Sequence, residues 1–200
     1  MNTIITIGRQ FGSAGREIGE KLAVELGIKC YDKELLTRAA KESGFCEELI
    51  QTHDERPTNS FLYNLVMDTY SFGYNAAGLV DMPISQKVFL AQFDAIKKIA
   101  AEGPCIIVGR CADYILEDKA DCLKVFIHAD LEFRAKRIVE VYGERAESPE
   151  ERIKDKDKRR AAYHRFYTNM KWGYAQNYDL TLNSGVLGID NCVDIITSLF

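Results

Sequence analysis

Apolar residues gather in short solid blocks along this chain, and between the blocks they return every third or fourth position. Residues 4–7, 105–108 and 123–127 are nearly all apolar, the pattern of strands covered on both faces in a parallel sheet. Residues 178–182 alternate more and predict a fourth strand, and Cys30-Tyr31 could begin a further short one. Ile18, Leu22 and Leu26 recur at helical spacing and meet Gly27, a natural helix stop. Val88, Phe89, Phe93, Ile96 and Ile99 form a second helical stripe that ends at Gly103-Pro104, and residues 131–142 and 192–200 predict two more helices. Strands alternating with helices predict an α/β fold, a three-layer α/β/α sandwich around a mainly parallel sheet.

Two stretches depart from this rhythm. Residues 45–85 carry turn residues and aromatics without a clean period, so they read as an insertion, a substrate-covering element. Residues 144–165 are highly charged, and Ser148-Pro149-Glu150-Glu151 makes a good helix start. Within it, "RIKDKDKRRAAYHR" sets seven Lys or Arg against two Asp. That is either a solvated helix face or a cationic element that closes over a ligand.

Between the first block and the first helix lies G-R-Q-F-G-S-A-G-R-E, residues 8–17. A loop there aims backbone N–H groups and a helix N-terminus at one point, which suits phosphate. The standard loop reads G-x-x-x-x-G-K-[ST], with a lysine for the β- and γ-phosphates and a hydroxyl for magnesium. Here the corresponding end is Gly15-Arg16-Glu17. Arg16 keeps the charge and can fork onto phosphate, whereas Glu17 cannot imitate the hydroxyl. Two readings stay open, a phosphate cradle and a tight turn that only packs helix on strand. The dinucleotide pattern G-x-G-x-x-G is absent, since Gly12 and Gly15 are three apart.

Composition narrows the field. A single domain of 200 residues, 46% hydrophobic and 28% charged, is ordinary for a soluble globular protein. A net charge of -4 argues against general nucleic-acid binding. No apolar run is long enough to span a bilayer and no leader is recognisable, so the expectation is a cytoplasmic protein without a membrane partner. The six cysteines form no C-x-x-C pair and read as reduced thiols. No His/Cys/carboxylate spacing suggests a metal site. Arg110 follows a buried block directly, at the sheet edge where α/β folds bind ligands, with a structural ion pair as the other reading. His128 at a strand end reads as a core or edge histidine. The aromatic run "YHRFYTNMKWGYAQNYDL" more often packs a helix onto a sheet than stacks a base.

"ITIGRQFGSAGREIGEKLAVELGIKCYDKELL", "IIVGRCADYIL" and "LKVFIHADLEFRAKRI", in this order and spacing, resemble the cytidylate kinase-like proteins, relatives of the nucleoside monophosphate kinases. The resemblance runs through the charged helix to "YDLTLNS" and leaves residues 45–85 poorly matched. It implies a nucleotide-dependent phosphotransferase that uses ATP with Mg2+ and a small acceptor, CMP or another nucleoside monophosphate. Gly12, Ser13, Ala14, Gly15, Arg16 and Glu17 would form the phosphate cradle, with Arg134 and Arg137 near the donor nucleotide. Asp32, Lys33 and Arg110 would lie on the acceptor side. Residues 144–170 would be a lid region, whose Lys156, Arg159 and Arg160 act with Arg16 on the transferring phosphoryl group. The departures are as informative. The loop lysine is missing, an ungapped alignment puts Gly15 in its place, and Val108 stands where the family has an aspartate before "GR". Lys156, Arg160 and Tyr163 replace the lid residues that read the cytosine nucleotide. A regulatory module that binds a nucleotide or anion without transfer is therefore the rival expectation.

Overall fold

In the computed structural model, which describes residues 3–55, 82–143 and 148–200, the first apolar block is strand β1, Ile4–Arg9, the middle of a five-stranded parallel sheet. Helix α1 (Gly15–Leu26) follows, and Gly27 ends it in the left-handed conformation, φ 66°. Edge strand β2 (Lys29–Tyr31), helix α2 (Lys33–Ser43) and helix α3 (Glu47–His53) come next. Helix α4 (Ile84–Glu102) leads to β3 (Cys105–Val108), the short α5 (Ala112–Ile115) and β4 (Cys122–His128). Helices α6 (Leu131–Glu140) and α7 (Pro149–Thr168) precede β5 (Leu180–Asn183), α8 (Ser184–Leu187) and α9 (Ile189–Thr197).

The strands lie in the order β2-β3-β1-β4-β5. Ile7 is level with Val108 on one side and Val125 on the other, so the carboxyl ends of β1, β3 and β4 open on one edge. Successive residues of β1 serve opposite faces, as the strand period requires. Ile4 packs with Phe89, Ile96, Tyr163 and Tyr167, whereas Ile5 and Ile7 pack with Ile18, Leu22 and Ile196. This is the expected three-layer sandwich. Each fully buried aliphatic side chain contributes roughly 1.5–3 kcal/mol.

The aromatic run packs rather than waits for a base. Tyr167 stacks on Phe89 at 3.8 Å between ring centres, and Trp172 stands edge-on to Phe126 at 5.3 Å. Pro149 at the first turn of α7 matches the expected helix start. The irregular stretch begins as helix: α3 packs Ile50, together with Leu36 and Ala39 of α2 before it, against Val88 and Ala95 of α4. Its middle, residues 56–81, and residues 144–147 of the expected lid region lie outside the described residues. Among the described residues no helix is long and apolar enough to cross a membrane.

Candidate active site

The loop after β1 is held in place by its own polar groups. Ser13 Oγ donates to the carbonyls of Gln10 (2.9 Å) and Ile127 (3.0 Å), and Ser184 Oγ donates to the Ser13 carbonyl at 2.7 Å. The Ser13 hydroxyl is therefore spent on the frame. Gly12 has φ 81°, and a side chain there would meet the Arg134 carbonyl at 3.0 Å, so glycine admits α6 against the loop. Ala14, at φ 62°, turns the chain into α1. The amides of Gly12, Ala14, Gly15, Arg16 and Glu17 find no acceptor among the described residues. The last four are the unsatisfied donors that open a helix.

Helices α6 and α7 flank this loop. The Phe11 amide donates to Asp157 Oδ1 at 2.7 Å, and Asp157 Oδ2 takes Arg134 Nη1 at 2.5 Å. One corner of the loop thus already holds an oxyanion, supplied by α7. Arg137 pairs with Glu17, the second residue after the start of α1. Lys156 Nζ and Arg160 Cζ sit 5.7 and 5.8 Å from the Phe11 ring centre, within cation–π range.

Beside the loop opens a cavity of about 490 Å3. One wall carries Arg9, Glu55, Lys156, Arg159 and Arg160, and the other Asp32, Lys33, Asp54 and Arg110. On the first wall a single carboxylate serves two guanidinium groups. Arg9 Nη1 lies 2.7 Å from Glu55 Oε1 and Arg160 Nε 3.0 Å from Glu55 Oε2. Burial opposes the Glu55 charge, but Arg9, Arg160 and Arg110 prevail and hold its carboxyl well below the usual range. Burial and the neighbouring Arg9 lower Arg160 from its ordinary value, the mark of two cations crowded onto one anion. Lys156 and Arg159 have no carboxylate partner among the described residues.

The second wall is built around buried Arg110, held at φ 54° just past β3. Its Nε and Nη2 reach Asp54 at 3.0 and 2.9 Å, and its Nη1 reaches Asp32 Oδ1 at 3.0 Å. Asp54 Oδ1 also accepts from Gln92 at 3.0 Å, so both Asp54 oxygens are used. Asp32 keeps Oδ2 freer, its neighbour being Arg16 Nε at 3.4 Å. Burial is outweighed at Arg110, and Asp54, Glu55 and Asp32 keep it firmly charged.

The cavity gathers Asp32, Lys33, Arg110, Lys156, Arg159 and Arg160 of the residues singled out from sequence. Gly12, Ala14, Gly15 and Glu17 stay with the loop, and Arg134 and Arg137 reach it from α6 rather than the cavity. Arg16 lies outside the cavity, its side chain 47% exposed and 2.8 Å from Glu20. Val108 is buried within the apolar core beneath the loop. Sequence reasoning missed Arg9, Asp54, Glu55 and Asp157. Arg9 ends a buried strand just as Arg110 follows one, and that same signal could have found it. Among the described residues no group of three His, Cys, Asp or Glu could hold a metal ion.

The profile of the cytidylate kinase-like family matches residues 4–186. An uncharacterized protein from Eubacterium ventriosum is 31% identical in sequence, with TM-score 0.73, over 100% of this chain and 98% of that one. Shikimate kinase from Bacteroides thetaiotaomicron, at 11% identity, has TM-score 0.58 over 98% of this chain and 97% of its own. A gluconokinase from Sinorhizobium meliloti, at 12% identity, has TM-score 0.53 over 100% and 95%. The last two are likenesses of fold. No curated protein matches the chain.

Proposed function

From the premise that this chain belongs to the cytidylate kinase-like family, we propose that it transfers the γ-phosphoryl group of ATP to a hydroxyl of a small acceptor. One observation carries the reading. The loop with unpaired amides follows directly on Arg9, which lines a cavity whose near wall has more cations than carboxylates and whose far wall holds Asp32, with Oδ2 3.4 Å from Arg16 Nε. Phosphoryl transfer needs little else from a protein than positioning and charge.

In this reading the triphosphate lies along residues 12–17, with Arg9, Lys156, Arg159 and Arg160 facing its outer phosphates. Asp32 and Lys33 hold the acceptor. Its hydroxyl oxygen bonds to the γ-phosphorus as the bond from that phosphorus to the bridging oxygen breaks. The nucleoside diphosphate leaves, and the hydroxyl proton passes to Asp32 Oδ2. Arg110 and Asp54 position Asp32 for this. Magnesium supplies charge neutralisation when it accompanies the nucleotide. Neither Arg16 nor Val108 could serve it as a ligand.

A hydroxyl acceptor fits the far wall better than a phosphate monoester such as CMP. Arg110 is already matched by Asp54 and Asp32, and a dianion there would have to displace a buried, doubly bonded carboxylate. The test is a 31P NMR screen with MgATP of hydroxylated acids, sugars, nucleosides and nucleoside monophosphates. Transfer to a hydroxyl compound that fails with Asp32→Asn supports the reading. Transfer to nucleoside monophosphates alone would move Arg110 into the role of phosphate anchor. ATP binding with no transfer to any class would favour the regulatory module.

A further inference from the structure

We propose that Arg9 is the phosphate-gripping cation of this loop, replacing the lysine that the motif lacks, and that Gly15 is glycine so that the Arg9 side chain can cross it. The proposal rests on the phosphotransferase reading above. Register is its first support. In strand–G-x-x-x-x-G-K-[ST]–helix the lysine opens the helix and a glycine precedes it. Here Gly15 opens α1, and Ala14 before it holds φ 62°, a value glycine adopts most readily. Ala14 thus stands for the second glycine, Gly15 for the lysine and Arg16 for the Ser/Thr. Arg9 then falls on the first glycine. Relative to the motif, a glycine and a cation have changed places.

The geometry fits the exchange. A Cβ on Gly15 would lie 2.5 Å from Arg9 Cβ and 3.1 Å from its Cγ, so a side chain at 15 and this path for Arg9 exclude each other. The guanidinium runs over Gly109, itself at φ 81°, and reaches the cavity at Glu55. Since Arg160 shares that carboxylate, one positive charge on this wall is left for a phosphate. Arg16 is engaged by Glu20 at 2.8 Å and lies 3.4 Å from Asp32, and it does not line the cavity. A guanidinium at position 9 can present two N–H groups to the phosphate oxygens where a lysine presents one ammonium.

Calorimetric titration with MgATP and MgADP tests this on wild type, Arg9→Ala, Arg9→Lys, Arg16→Ala and the double variant Arg9→Gly/Gly15→Lys, with folding checked by circular dichroism. Arg9→Ala should weaken ATP on the order of tenfold or more and ADP less, because the lost group serves the outer phosphates. Arg9→Lys should lose less, Arg16→Ala should lose less than Arg9→Ala, and the double variant should regain most of the ATP affinity. Should Arg9→Ala fail to fold, the double variant decides, since it restores the ordinary arrangement. A folded Arg9→Ala with wild-type ATP affinity overturns the proposal, as does a larger loss in Arg16→Ala or a folded double variant blind to ATP. Wild-type protein that binds neither nucleotide overturns the phosphotransferase reading itself and this proposal with it.

Discussion

The two walls of the cavity use similar residues and balance them in opposite ways. On the loop side, Arg9 and Arg160 divide one carboxylate, Glu55, while Lys156 and Arg159 have no carboxylate partner among the described residues. On the far side a single guanidinium, Arg110, lies between two carboxylates, Asp54 and Asp32. The first wall carries four cations against one carboxylate, whereas the second, with Lys33 beside Asp32, sets two cations against two carboxylates. A polyanion gains by lying on the first without displacing anything, whereas the second favours a group that donates a proton. The presence of an arginine on either wall therefore says little by itself. How each charge is already spent decides what a wall can bind.

The largest effect should come from the proposed proton acceptor. Asp32→Asn should lower the transfer rate by about 10²–10⁴-fold with MgATP affinity little changed, read by product formation and titration. An equal loss of ATP binding would put Asp32 on the wrong wall. Removing the central cation of each wall should cost unequally in stability. Arg110→Ala leaves buried Asp54 without its guanidinium and Asp32 with only the more distant Arg16, and should cost about 3–5 kcal/mol in urea unfolding. Arg160→Ala should cost less, because Glu55 keeps Arg9. Equal losses would erase the distinction between the walls.

Much of the fold is legible in the sequence, since β1, β3 and β4 are covered on both faces and burial on both faces leaves a solid apolar run. Gly27 and Pro149 mark helix ends for the same local reasons that put them there. Helix α2 escapes the sequence reading, although Leu35, Leu36, Ala39 and Ala40 carry its buried stripe. The site is only half legible. Arg110 and the α7 cations announce themselves by position or density, but Asp54 and Glu55 sit where the chain has no period. Their roles come from pairing with Arg110, Arg9 and Arg160, all distant in sequence. Asp157 looks in sequence like a partner for neighbouring lysines on its own helix, yet it binds Phe11 and Arg134. Arg9 lies six residues from the position of the missing lysine, and only the close approach of its side chain to Gly15 connects the two.

A smaller effect concerns pH. The folded Glu55 carboxyl is depressed, so its contribution is present in full above the unfolded value of ~4.3 and lost as pH falls through the folded value. Glu55→Gln should cost about 3 kcal/mol at pH 7, and its gap from wild type should narrow below pH ~4. A gap independent of pH would mean that Glu55 acts by packing rather than charge. The smallest effect is expected from the exposed cations. Lys156→Ala with Arg159→Ala should weaken MgATP a few-fold, and the loss should fade at high salt because exposed charges are screened. A salt-independent loss would make these two direct, buried contacts.

The most direct measurement is a crystal structure with a non-hydrolysable ATP analogue. Its β- and γ-phosphates are expected on the amides of residues 12–17, with Arg9 in hydrogen-bond reach. Arg110 should still be doubly bonded to Asp54, and Asp32 Oδ2 should face the γ-phosphate. Phosphates seated on Arg110 with Asp54 pushed aside would contradict this assignment, because the second wall would then be the one that receives the polyanion.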